Sequence, residues 1–189
     1  MLLPFLEPVP PSGFHYLPNW ISPAEEAELL AHLEALSFAP VRMHGVVAKR
    51  TVVHFGWDYG YESWRITPTR PIPDWLLPLR GRAARLMQKP EDAVEEVLVT
   101  RYGSGAGIGW HRDAPMFGPT VVGVSLKGTC RMRFQREVKG MRETAEQILE
   151  PRSAYMLSGS ARFSWQHSIP PTKTLRYSMT FRTVRSTSR

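Results

Sequence analysis

A histidine and a carboxylate, His111 and Asp113, stand two apart in the stretch GWHRDAP (109 to 115). Residues i and i+2 of an extended segment project to the same side, so both donors can meet one ion. A third donor has to come from elsewhere. His15, His32 and His44 fall in the N-terminal stretch, a helical pattern and a loop, whereas His54 and His167 fall in strand-like runs. His167 closes a late strand and is the best candidate. Two imidazoles and one carboxylate on one face of an ion make the facial triad of non-haem iron(II) chemistry, which leaves open positions for a cosubstrate and O2. An H-x-D pair alone is more often a surface hydrogen-bonding pair or a capped turn, so a metal site needs further support.

That support lies in LRYSMTFR (175 to 182). Strict alternation puts Arg176, Ser178, Thr180 and Arg182 on one face and Tyr177, Met179 and Phe181 on the other. Two inward guanidiniums are costly unless anions pair with them. Guanidinium forks suit carboxylates, and a dicarboxylate cosubstrate would need two such anchors. The alternative is a pair of edge-strand arginines in solvent.

The elements that must position these groups divide the chain in two. Ser22-Pro23-Ala24-Glu25 is a capping box with proline at the first helical position, and Leu29, Leu30, Leu33 and Leu36 follow at helical spacing, predicting a helix over 23–36. A second helical pattern runs from Ile72 to Met87, interrupted by Pro78, with Arg80, Arg82 and Arg85 expected on a solvated face. After Pro90 the pattern changes to alternating runs at 94–102, 120–126, 129–136, 153–159, 163–169 and 175–184. Such runs predict antiparallel strands in a sandwich or barrel. The polar stretch 137–147 reads as a mobile loop, and residues 1–18 as an extended arm ahead of a single domain over 19–189.

Composition bounds the setting. The chain has 189 residues, 42% hydrophobic and 22% charged, which suits one globular domain. Cys130 has no partner for a disulfide, and the first residues lack the basic start and apolar run of a secretory signal. We therefore expect a reducing, cytoplasmic setting. No stretch approaches the roughly 18 apolar residues of a membrane span. The net charge of +7 favours polyanionic partners, nucleic acid foremost.

Taken in order, His111-Arg112-Asp113, then His167, then R-x-S-x-x-x-R at 176 to 182 resembles the AlkB family of iron(II)- and 2-oxoglutarate-dependent dioxygenases. VLVTRYGSGAGIGWHRD, VVGVSLKGTCRMRF and SGSARFSWQHSI resemble that family's core strands and second-histidine segment, and RTVVHFGWDYGYES (50 to 63) resembles its substrate lid. The resemblance covers about residues 15 to 185. It implies an α+β fold with a double-stranded β-helix (jelly-roll) core, N-terminal helices packed on one sheet, and a lid around 43–66. It also implies iron(II) on His111, Asp113 and His167, and 2-oxoglutarate with its far carboxylate on Arg176, its metal-side carboxylate near Arg182, and a hydrogen bond from Tyr102. Ser178 and Thr100 stand where many members carry asparagine. Pro115 stands where several repair members carry an acidic base-reading residue.

The implied reaction oxidises a substrate C–H bond with O2, converting 2-oxoglutarate to succinate and CO2. On an N-methyl group the hydroxymethyl product collapses to formaldehyde and the restored base, without any catalytic acid or base beyond the metal centre. A base must leave its stack to react, and aromatic and cationic planes grip flipped bases. His54, Phe55, Trp57, Tyr59 and Tyr61 could supply such planes, with Lys49, Arg50 and Arg112 on phosphates. Arg131, Arg133 and Arg136 form a basic stripe or a solvated sheet face. The expectation is a monomeric demethylase of alkylated DNA or RNA, acting on single strands or flipped bases. Alternatives are oxidation of tRNA bases, because HFGWDYGYE also resembles the tRNA-hydroxylating branch, oxidation of protein side chains, or a nucleic-acid binding domain without activity.

Overall fold

Alternation after residue 94 produces strands whose two faces meet different partners. The computed structural model describes residues 9–43, 45–60 and 65–185. In chain order the strands are β1 (Phe14–Leu17), β2 (Ala39–Met43), β3 (Val46–Phe55), β4 (Trp57–Gly60), β5 (Arg65–Pro68), β6 (Glu96–Tyr102), β7 (Ile108–His111), β8 (Phe117–Leu126), β9 (Cys130–Val138), β10 (Met141–Leu149), β11 (Ser153–Leu157), β12 (Gln166–Ile169) and β13 (Arg176–Val184). The helices are α1 (Pro23–Glu34), α2 (Leu77–Leu86) and α3 (Gly159–Phe163). One sheet has seven strands in the order β1-β11-β8-β13-β6-β3-β2, the second has four in the order β10-β9-β12-β7, and β4-β5 is a separate hairpin. The antiparallel strands are as the alternation predicts, and the jelly-roll core with helices on one sheet is as the resemblance implies.

Two apolar layers hold it together. Tyr177, Met179 and Phe181 of β13 join Val97 and Val99 of β6 and Val122 and Val124 of β8 beneath Leu29 and Leu33 of α1 and Leu79 and Ala83 of α2. The second layer lies on the opposite face of the large sheet, where Val121, Tyr155 and Leu157 meet Met132 and Phe134 of the small sheet and Trp165. Each buried side chain of this size contributes roughly 1.5–3 kcal/mol relative to exposure. The site described below opens from this second layer.

α1 starts as the capping box dictates: the Glu25 N–H donates to Ser22 Oγ at 3.1 Å, and the Ser22 N–H donates to the Glu25 carboxylate at 2.7 Å. It ends at Glu34, short of Leu36. Pro78 does not interrupt the second helix. It falls in the first turn of α2, after a 3-10 turn over Asp74–Leu76, where its missing N–H costs nothing. The solvated arginine face is corrected too. Arg80 donates to the Val94 carbonyl at 2.8 Å, Arg82 pairs with Glu25 at 2.8 Å and lies over the Trp20 ring at 4.2 Å, and only Arg85 is exposed.

Three further expectations change. Residues 14–17 of the expected arm form β1, an edge strand of the large sheet paired with β11. The expected loop 137–147 is a hairpin: Lys139 and Gly140 both adopt positive φ, +51° and +78°, in a two-residue turn between the paired Val138 and Met141. β10 is an edge strand burying little beyond Ala145 and Leu149, so its composition reads as loop. Finally, residues 159–163 turn through α3, so β12 begins at Gln166.

Candidate metal centre

Strand register brings the two histidines together. His167 of β12 pairs with His111 of β7 across the ladder, and their ring centroids lie 4.2 Å apart. Asp113 follows directly after β7, with its Oδ2 3.8 Å from His167 Nε2. The segment after β7 is held by Arg162 of α3, whose two Nη groups donate to the carbonyls of Asp113 and Ala114, each at 2.9 Å. The Asp113 side chain is held from β13, where Arg182 Nη1 donates to Oδ1 at 3.1 Å. Arg182 is itself gripped by Glu96 of β6, its register partner, through a bidentate pair at 2.8 and 3.0 Å.

The donor types of these three groups suit a divalent cation, although among the described residues no three such side chains stand in a closed metal-holding arrangement. The Gly109 carbonyl lies 2.8 Å from His111 Nδ1 and can only accept, so the proton sits on Nδ1 and Nε2 presents its lone pair. Burial pushes both imidazoles below their ordinary range, His167 to about 3 with the neighbouring His111 adding to the effect. Burial works against the Asp113 carboxylate, but Arg182, His167 and Arg162 outweigh it and hold this carboxyl below the usual range. Two neutral nitrogens and one carboxylate result, with one negative charge in total.

A few residues along β13 the balance reverses. Arg176 is fully buried, and its Nε donates to Ser125 Oγ at 2.9 Å, but neither Nη has a hydrogen-bond partner among the described residues. Its guanidinium lies 5.2 Å from the ring of Tyr102, its register partner on β6. Thr100 and Ser178, both 5% exposed, face each other in the same ladder. A buried cation with vacant donors beside hydroxyl groups fits a carboxylate ligand. Arg182 does not fit the second-anchor expectation. Glu96 fills its fork, and its remaining Nη faces Asp113, so the protein supplies its anions.

The expected substrate residues separate. Phe55 is corrected: it is 3% exposed, in the helix-side core, edge-on to Trp75 at 6.3 Å. Alternation along β3 turns Phe55 away from the site and His54 toward it, with His54 Nδ1 3.6 Å from Glu96 and Nε2 3.5 Å from Asp58. Lys49 and Arg112 are exposed, Arg50 is buried, and Trp57 is half-buried in β4. The Tyr59 ring stands 6.1 Å from that of Phe117, over which Arg182 lies at 3.9 Å, so Tyr59 flanks the metal centre. Tyr61 lies outside the described residues. β3 belongs to the large sheet, so only part of the 43–66 segment can act as a lid. In the basic stripe, Arg131 and Arg136 pair with Glu146 and Glu143, whereas Arg133 lies 5.0 Å over the half-exposed Trp110.

Sequence reasoning passed over Glu96 and Arg162. Glu96 shares its strand face with Thr100 and Tyr102, a parity that places a carboxylate opposite Arg182. Arg162 sits in a single-turn helix with no periodic signal.

Comparison with known proteins adds a family and relatives. The family model described as the 2OG-Fe(II) oxygenase superfamily matches residues 13–185. A protein of Arabidopsis thaliana named "Alkylated DNA repair protein ALKBH8 homolog" is 28% identical over 181 residues, covering 84% of this chain and 51% of the relative. "Probable RNA/DNA demethylase ALKBH6" of Danio rerio is 30% identical over 148 residues, covering 78% and 60%. The chain thus spans about half to three-fifths of these curated relatives. A solved structure, "The structure of OsALKBH1", superposes with a TM-score of 0.72 over 95% of this chain and 98% of that one at 16% identity, a likeness of fold.

Proposed function

The chain belongs to the 2OG-Fe(II) oxygenase superfamily, among its AlkB-type members, and from that premise we propose that it oxidises alkyl groups on nucleic-acid bases and releases them as aldehyde. It is an iron(II)- and 2-oxoglutarate-dependent dioxygenase. The observation that carries our reading of the site is the convergence of His111, Asp113 and His167 beside a buried Arg176 whose Nη groups lack partners.

In this reading His111, Asp113 and His167 hold iron(II), and Arg176 takes the far carboxylate of 2-oxoglutarate, with Tyr102, Thr100 and Ser178 around it. Bound iron, 2-oxoglutarate and O2 together supply the oxidising power that inserts oxygen into a substrate C–H bond, with succinate and CO2 leaving. The chain's own residues supply placement. Gly109 fixes the His111 tautomer, Arg162 fixes the backbone at Asp113, and the Glu96–Arg182 pair keeps the Asp113 side chain ionised and aimed. An N-hydroxymethyl product breaks its C–N bond unaided, yielding formaldehyde and the N–H base, so no side chain has to act as an acid or base.

The net charge of +7, the cationic Lys49 and Arg112 at the surface, and the Trp110–Arg133 stack support a nucleic-acid substrate. Tyr59, half-buried beside the metal centre, is the aromatic plane best set to meet an extruded base.

The test has two stages. Anaerobic iron(II) titration with 2-oxoglutarate gives the weak visible band of the chelate, and His111→Ala abolishes both the band and succinate production. Formaldehyde released from N-methylated oligonucleotides, one per succinate, supports demethylation. A stable hydroxylated base points to tRNA-type hydroxylation instead. Tight oligonucleotide binding without 2-oxoglutarate turnover would overturn the reading of this site.

A further inference from the structure

Gly123 of β8 leaves a gap in the inner face of the large sheet, and Tyr155 of β11 fills it. The two are register partners, and a Cβ at position 123 would fall 2.2 Å from Tyr155 Cζ and 2.5 Å from its hydroxyl oxygen. The ring therefore crosses from β11 onto β8 and ends over the glycine. Phe14 of the edge strand stacks against it, with centroids 6.4 Å apart. Alternation fixes what stands beside the ring tip. Val121 and Tyr155 lie in the layer toward the small sheet and Val122 and Val124 in the layer under the helices, so Gly123 and Ser125 share the inner face. Ser125 is the residue to which Arg176 donates at 2.9 Å, and Gly123 pairs with Thr180, midway between Ser178 and Arg182 on β13. Neighbouring inward positions on a strand are about 7 Å apart. The Tyr155 hydroxyl thus stands one such step from the anchor of Arg176.

Tyr155 is 7% exposed, and among the described residues its hydroxyl makes no hydrogen bond. Unlike the Nη groups of Arg176 it is not sealed from solvent, so a ligand can reach it. Burial, with the Asp113 carboxylate adding to it, pushes the hydroxyl above the ordinary phenol range against the pull of Arg176. The group is a donor that stays protonated. We infer that Tyr155 is a further cosubstrate-binding residue: its hydroxyl donates to the far carboxylate of 2-oxoglutarate beside the Nη groups of Arg176, and Gly123 is the seat that keeps its ring clear of the ligand. An ionised carboxylate has acceptor sites for all three donors. The inference rests on the reading of Arg176 given above and adds a donor from β11, outside both the R-x-S-x-x-x-R strand and the strand of Tyr102.

The experiment titrates iron(II)-loaded protein, without oxygen, with 2-oxoglutarate and with 2-oxopentanoate, which has the same carbon chain but ends in a methyl group. The visible chelate band is the readout. Tyr155→Phe keeps the ring and removes only the hydroxyl. It should weaken 2-oxoglutarate about 10-fold, the worth of a hydrogen bond to a charged group, and leave 2-oxopentanoate unchanged. Gly123→Ala forces the ring off its seat and should weaken both acids, whereas in a Tyr155→Leu background the same alanine substitution should weaken neither further. Thermal unfolding without ligand shows that each variant is folded, and if Gly123→Ala is not, Tyr155→Phe decides alone. Weakening of both acids by Tyr155→Phe, or of neither, overturns the inference, as does an alanine effect that persists without the ring. Arg176→Met separates this inference from the reading beneath it. If that variant loses 2-oxoglutarate while Tyr155→Phe binds like wild type, the cosubstrate reading stands and Tyr155 leaves it. If wild type forms no band with 2-oxoglutarate, that reading falls and takes the role of Tyr155 with it.

Discussion

The two ends of β13 carry the same side chain in opposite states. At one end Arg182 is enclosed by carboxylates of its own chain, Glu96 on the neighbouring strand and Asp113 beyond β7. At the other end Arg176 is buried just as deeply, with a serine hydroxyl as its hydrogen-bond acceptor and two vacant Nη groups among the described residues. One arginine is finished when the chain folds, whereas the other is finished only by a ligand. A buried charge thus marks a binding site only when its counter-charges have been counted. The pattern R-x-S-x-x-x-R does not reveal which of its arginines is which.

Substitution breaks the comparison most strongly at the paired end. Arg182→Met strands the fully buried Glu96 and should cost about 3–5 kcal/mol in denaturant unfolding. A loss below about 1 kcal/mol would mean that the fold does not depend on the pair, and its structural role would be abandoned. Acid attacks the same end. In the iron-free protein His111 and His167 stay neutral while the unfolded chain takes up protons below about pH 6.5. The unfolded state then binds more protons, so stability present above that pH falls as the pH drops, for His167 as far as about pH 3, by up to about 1.4 kcal/mol per unit for each imidazole that stays neutral. Asp113, with its lowered carboxyl, adds a further loss that begins near the unfolded value of about 3.9. Melting curves of the iron-free protein between pH 7.5 and 4.5 check this. A flat profile would show that the imidazoles are not buried neutral.

The ligand-dependent end should respond in the opposite sense. Arg176→Met removes two unsatisfied donors, so the free protein loses no stability, but 2-oxoglutarate affinity falls about 100-fold. At a concentration 100 times the wild-type Kd the cosubstrate stabilises wild type by about 2.7 kcal/mol and this variant by only about 0.4 kcal/mol. Equal thermal shifts in the two proteins would remove Arg176 from the cosubstrate site.

These contrasts explain what the sequence could disclose. The alternation of β13 and β6 is a period-2 signal, so the inward face of Arg176, Ser178 and Arg182 was legible, as was the helix begun by Ser22. The pairing of His111 with His167 is a matter of register between strands more than fifty residues apart; the place of His167 at the end of a late strand made it the best candidate, and the resemblance supplied the rest. Edge strands went unseen because solvent on one side and little burial on the other leave no apolar alternation, as in β10. Phe55 was misassigned because a run of aromatics does not disclose which of them face the helices, whereas the pairing of Val53 with Val99 decides it. Arg162 stayed hidden for a different reason: its partners are backbone carbonyls, which have no letter in a sequence.

Arg162 also allows the smallest of the expected effects to sharpen the comparison. Among the described residues its guanidinium makes no ion pair with a carboxylate side chain; it holds Asp113 by the backbone, while Arg182 holds the same residue by its side chain. Removing the backbone clamp leaves the Glu96–Arg182 pair intact, so Arg162→Lys should unfold within about 1–2 kcal/mol of wild type. Iron(II) affinity, however, should fall by about 10- to 100-fold, because the donor atoms lose the support that aims them. Competition with a chromophoric chelator measures that affinity without turnover, and the pH midpoint of iron binding separates aiming from folding: a loosened Asp113 weakens binding at every pH without moving the midpoint. Unchanged affinity with a lowered melting temperature would reduce Arg162 to a structural brace, and Arg182 would then be the one residue left to fix the carboxylate.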